Sequence, residues 1–202
     1  MKNIITIQHT QSIQHTNGMI GSWTDWDLTE LGKEQAKKIG ERLSHELGEK
    51  KYVMYSSDLL RAKHTAEIVG EALGIEPTIT EALREQNLGE AVGKSKEWAH
   101  KNTIVWMKKI DDKPFNDSES MREVWNRLLI FLNQIMESDD ENIIIVSHGG
   151  TLSIFNPLWL GLEVEALNKC SMIGNAGGVS FMCENAAGKR IISRLNDRSY
   201  IQ

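Results

Sequence analysis

The sequence predicts an α/β protein, a three-layer α/β/α domain on a mainly parallel central sheet. Three observations predict it. Strand-length apolar runs alternate with stretches of helical periodicity. Two isoleucine-rich runs far apart in the chain each lead into a histidine, His9 after IITIQ and His148 after IIIVS. The last part of the chain carries two alternating runs of the kind that pair at a sheet edge.

In chain order, Asn3 to Ile7 has the length and β-branched content of a buried strand. From Leu28 onward, Leu31, Gln35, Ala36, Ile39, Leu43 and Leu47 recur every three or four residues. Thr29 or Asp27 can cap this amphipathic helix and Gly48 can end it. Tyr52 to Ser56 reads as a second strand. Asp58 to Leu73 reads as a helix with Leu59, Ala62, Ala66, Val69 and Leu73 inward, stopped by Gly74. After a polar middle section, Ser120 and Glu123 form a capping box that opens a helix with Met121, Val124, Leu128, Leu132 and Ile135 on one face. That helix leads into the strand Asn142 to Ser147. Gly178 to Cys183 and Arg190 to Leu195, joined by ENAAGK, predict a hairpin or neighbouring edge strands.

Composition sets limits on function. The 202 residues, 40% of them hydrophobic, suffice for one core, and a single domain over 1–202 is expected. A net charge of −5 gives no footprint for nucleic acid or an anionic membrane. No stretch approaches the roughly 20 apolar residues of a membrane span. Two cysteines, Cys170 and Cys183, do not make a disulfide framework, and MKNIITIQ has too short an apolar run for a signal peptide. A reduced, cytoplasmic protein is expected, with its oligomeric state open.

In sheets of this kind ligands bind beyond the carboxyl ends of the strands. If the strands before His9 and His148 are neighbours, the two imidazoles face one crevice. The tetrapeptide IQHT occurs twice, and position favours His9 over His15, which lies six residues further along in a loop. His45, His64 and His100 fall in helical stretches without convergent partners. The tryptophans fall mostly in amphipathic helices, as core or pocket lining. No Cys or His pair has a tight metal-ligand spacing.

Five segments carry a family resemblance: IQHT (7–10), DWDLTELGKEQA (25–36), SSDLLRAKHTA (56–66), LREQNLGEAVG (83–93) and VSHGG (146–150). In this order and these settings the chain resembles the histidine phosphatase superfamily, also called phosphoglycerate mutase-like. The resemblance implies catalytic residues His9, Glu85 and His148. It implies phosphate or substrate contacts from Gln8, His15, Arg61 and Gly149, and neither a metal nor another cofactor. His9 would attack phosphorus and become a phosphohistidine. Arg61 and a protonated His148 would bind the nonbridging oxygens. Glu85 would exchange a proton with the leaving oxygen and then with water. Glu81 and Glu90 are near enough in sequence to reach the same pocket. Gly149 and Gly150 would bring a helix N-terminus near the anion.

The departures are Gln8, where the family has arginine, and Thr10 and Gln11, where it usually has Gly-Glu or Gly-Gln; at Gln8 one donor remains, without the fork or the charge. His15, roughly where the family often has asparagine, is either a replacement donor or an exposed loop residue. A short cap insertion is expected around 89–120, aromatic and basic in character through Trp98, Trp106, Lys108, Lys109 and Phe115. The expected partner is a small phosphomonoester or phosphate. The leading function is a metal-independent phosphatase, slowed by Gln8. The alternatives are a phosphoglycerate mutase-like phosphotransferase and a noncatalytic phospholigand-binding or regulatory protein of the same fold.

Overall fold

The computed structural model describes residues 1–202. Six strands form one sheet: β1 (Asn3–Gln8), β2 (Val53–Ser56), β3 (Thr78–Ile79), β4 (Asn142–Ser147), β5 (Val179–Glu184) and β6 (Arg190–Asp197). The order is β3-β2-β4-β1-β5-β6. The first four are parallel, and β5 and β6 run antiparallel at one edge. The expected parallel sheet and the expected edge pair are both present. The two-residue strand β3 carries no periodicity that a sequence pattern could expose.

Period-two alternation sends β-strand side chains to opposite faces and builds two cores. Ile5 and Ile7 of β1 and Ile144 and Val146 of β4 pack with Ile39, Leu43, Ala62, Ala66 and Val69 of α1 (Glu30–Leu47) and α2 (Leu60–Leu73). Ile4, Ile143 and Ile145 face α4 (Met121–Glu137) and α5 (Gly149–Trp159) through Val124, Leu128, Leu132, Phe155 and Trp159. α3 (Lys96–Asn102) lies apart, over a small cluster of Ala91, Ala99 and Phe115.

Thr29 caps α1 by accepting from the Gly32 amide, and Ser120 and Glu123 form the expected box at α4. Three expectations need correction. Leu31 points outward and is half-exposed, because α1 starts at Glu30 and its inward face begins with Gly32. His64 is not an unpartnered surface residue, since its Nδ1 lies 2.6 Å from Asp27 Oδ1. Of the tryptophans, Trp98, Trp125 and Trp159 are helical, whereas Trp23, Trp26 and Trp106 lie in loops. No helix is long and apolar enough to cross a membrane.

Candidate active site

β1 and β4 pair in parallel with Gln8 opposite Ser147, so both strands end at one edge and His9 and His148 emerge together. Their rings meet edge to face with centroids 5.1 Å apart, and the His15 ring lies 5.5 Å from that of His9. The crevice expected from the two strand-ending histidines is therefore formed.

His9 is buried, with Nδ1 2.8 Å from the Thr10 carbonyl oxygen. A carbonyl only accepts, so Nδ1 carries the hydrogen and Nε2 the lone pair. Burial, and next the Arg61 charge, hold the His9 pKa well below 6.5 against the raising effect of the Thr10 bond. The imidazole is neutral. Thr10 is itself fixed, its hydroxyl donating to the Gly32 carbonyl at 2.7 Å.

His148 Nε2 lies 2.9 Å from Ser57 Oγ, and its Nδ1 is buried with no partner in the protein. The protonated His148 expected from the sequence needs correction for the unliganded pocket: burial and the Arg61 charge hold this pKa too well below 6.5. A phosphate dianion at the ring acts in the opposite direction.

Arg61, in the first turn of α2, has no exposed surface. Its Nη1 donates to the Thr24 carbonyl at 2.9 Å and its Nη2 to the Ser22 carbonyl at 2.6 Å, while Nε has no protein partner. Burial brings its pKa down to about 10, so the guanidinium stays charged at neutral pH. Ser22 holds a left-handed φ of 44°, and its hydroxyl donates to the Gln86 carbonyl and accepts from the Leu88 amide. The strained serine thereby links Arg61 to the Glu85 loop.

Glu85 lies over the start of α5. Its Oε1 accepts from the amides of Gln86 and Thr151 and from the Thr151 hydroxyl, and Oε2 accepts from the Gly150 amide at 3.1 Å. Its backbone carbonyl accepts from Trp23 Nε1 and Arg127 Nη2. The α5 amides at Gly150 and Thr151 therefore hold this carboxylate, where the sequence reading gave the helix end to the anion. A Cβ on Gly150 would stand 2.5 Å from Glu85 Oε1, which explains the glycine. Glu81 pairs with Arg84 and Glu90 with Asn116.

Gln8 is 8% exposed, with Oε1 unpartnered and its amide against Gly149, whose added Cβ would meet Nε2 at 3.0 Å. His15 Nδ1 accepts from the Ser12 amide at 3.0 Å, which leaves Nε2–H as the ring's donor. His15 is an exposed residue of a short turn, as the loop alternative had it, and partial burial of its ring, opposed by the Ser12 bond and helped by the Arg61 and Lys96 charges, lowers its pKa. His15 lines a cavity of about 330 Å³ together with Ser22, Glu85, Lys96 and Gly150. The sequence pointed to the groups around His9. It did not single out Ser22, Thr24, Trp23 and Arg127, whose backbone carbonyls or long-range donors carry no motif of their own.

Known proteins resemble this chain in sequence and in fold. The family described as histidine phosphatase superfamily (branch 1) matches residues 4–198. A Hydrogenobacter thermophilus protein named "Putative phosphoserine phosphatase 2" is 35% identical over 88% of this chain and 87% of its own. The 2,3-bisphosphoglycerate-dependent phosphoglycerate mutase of Rhizobium meliloti is 29% identical over 97% of both. In fold, the chain is similar to a mycobacterial glucosyl-3-phosphoglycerate phosphatase in complex with VO3, with a TM-score of 0.82 at 20% identity over 97% and 99% of the two chains. It is similar also to the alpha-ribazole phosphatase of Shigella flexneri, with a TM-score of 0.83 at 22% identity over 97% and 96%.

Proposed function

Because the chain belongs to the histidine phosphatase superfamily, we propose that it is a metal-independent phosphatase acting on a phosphomonoester through phosphorylated His9. The observation that carries this reading is the Thr10 bond to His9 Nδ1, which leaves a neutral, buried imidazole with its Nε2 lone pair available.

In the first step Nε2 forms a bond to phosphorus and the P–O ester bond breaks, its electron pair going to the leaving oxygen. Glu85 is the acid that gives that oxygen its proton. In the second step water attacks phosphorus, Glu85 takes the water's proton, and the P–Nε2 bond breaks to release phosphate. Arg61 Nε and His148 Nδ1, the unpartnered buried nitrogens beside His9, bind nonbridging oxygens and stabilise charge that develops there. Gln8 and His15 Nε2–H are the remaining donors, and Gly149 keeps the α5 end close to Gln8.

A phosphotransferase reading, suggested by the mutase relatives, has less support. Lys96 is the one lysine lining the 330 Å³ cavity, and no arginine lines it to hold a second acidic group. A noncatalytic binder is favoured by one observation, Gln8 where the family has arginine.

Hydrolysis of para-nitrophenyl phosphate with EDTA present separates these readings. A phosphatase gives EDTA-resistant turnover that His9→Ala abolishes and His15→Ala only weakens. A binder takes up phosphate without turnover. A mutase needs a bisphosphorylated primer.

A further inference from the structure

The 89–120 segment forms a second chamber beside the first. Trp98 stacks on Phe115 with centroids 6.1 Å apart, and His100 packs on Trp106 at 5.4 Å. The Ile104 amide donates to the Pro114 carbonyl at 2.8 Å, closing the loop between them. A cavity of about 280 Å³ lies inside, walled by Ile20, Leu88, Val105, Trp106, Pro114 and Phe115. Ile20, Leu88, Lys96 and Met107 line both this cavity and the one that holds His15 and Glu85, so the two chambers are neighbours that share a wall. Lys108 and Lys109 line neither, so the basic side chain this segment brings to the chambers is Lys96.

Apolar side chains make up most of the outer chamber's lining, while His15, Ser22, Glu85 and Gln86 bring polar groups to the inner one. Trp106 at 56%, Met107 at 44% and Ile104 at 62% exposure gather at this segment, an apolar surface that the chain does not cover itself.

We propose that the outer chamber receives the leaving alcohol, and that the substrate class is a phosphomonoester whose alcohol bears an aromatic or similarly sized apolar group. This rests on the phosphatase reading above. Residues 89–120 then act as a cap that selects substrates by apolar burial, and Lys96 marks the boundary between the polar and apolar chambers.

The test compares ethyl phosphate with 3-phenylpropyl phosphate, whose leaving oxygens are nearly equal in basicity because three methylenes separate the ring from the ester. The phenylpropyl ester is expected to show kcat/KM higher by about 10²-fold. Trp106→Ala should shrink that ratio by about tenfold, with the exposed α4 substitution Ile130→Ser as the control that keeps it. Equal kcat/KM for the two esters would overturn the proposal and leave the phosphatase reading intact. If neither ester is hydrolysed, calorimetry with ethylphosphonate and 3-phenylpropylphosphonate decides: tighter binding of the second by a similar factor supports the chamber, and equal binding overturns it. A preference that grows with protein concentration would assign the apolar wall to a second copy of the chain and also overturn the proposal.

Discussion

The imidazoles of His9 and His148 meet edge to face at 5.1 Å, both buried and both beside the Arg61 charge. Each has a folded-state pKa depressed well below 6.5, so below that pH the unfolded chain binds more protons than the folded one. The stability from their neutral burial is complete above about pH 6.5 and is lost as pH falls, by up to about 1.4 kcal/mol per pH unit for each histidine. Urea denaturation at pH 7.5 and 5.5 should show this slope, and a His9→Gln/His148→Gln variant should flatten it. Saturating phosphate should reduce it too, because the dianion raises both pKa values in the folded state.

Gly150→Ala should lower kcat by about 10² while the fold and melting behaviour persist. The backbone at Gly150 is not left-handed, and the added Cβ strikes only the end of the Glu85 side chain. Circular dichroism and steady-state kinetics check it together. An unchanged kcat would remove Glu85 from the proton transfer.

Arg61→Met should cost both stability and rate. It leaves the buried Ser22 carbonyl without its donor, at about 1–3 kcal/mol, and the partly buried Thr24 carbonyl as well, at a smaller cost. It also removes the charge proposed to face the phosphoryl group, worth on the order of 10² to 10³ in kcat/KM. Arg61→Lys should recover part of the stability and little of the rate, because an ammonium cannot reproduce the fork. Denaturation midpoints and kcat/KM, measured on both variants, separate the two effects.

Gln8→Arg should raise kcat/KM by about 10- to 100-fold by restoring a charged donor next to His9. The change has room: Gln8 borders a polar cavity of about 340 Å³ lined also by Gln11, His15 and Asn175. An unchanged rate would show that Gln8 is not what limits this site.

The parts of the fold legible in the sequence were those whose side-chain period matches their burial. β1 and β4 show as isoleucine runs because both faces are covered, and α4 shows through its cap and stripe. Leu31 misled because a helix face is set by where the first turn begins, and Thr29 places that start so that Leu31 turns to solvent. At the site, His9 and His148 were legible as residues that follow buried strands. The protonation of His148 was not, since it depends on burial and on a guanidinium 87 positions away in the chain, 148 against 61. Nor was the use of the α5 amides by Glu85, a contact across 65 residues.

The most direct test of the account is the site of phosphorylation itself. The enzyme is mixed with para-nitrophenyl phosphate, quenched in alkali, digested, and the phosphohistidine located by mass spectrometry and its nitrogen identified by phosphorus NMR. Because Thr10 holds Nδ1 of His9, the account predicts an acid-labile phosphoryl group on His9 Nε2. Phosphate on Nδ1, or on His15 or His148, or turnover with no label at any histidine, would contradict it.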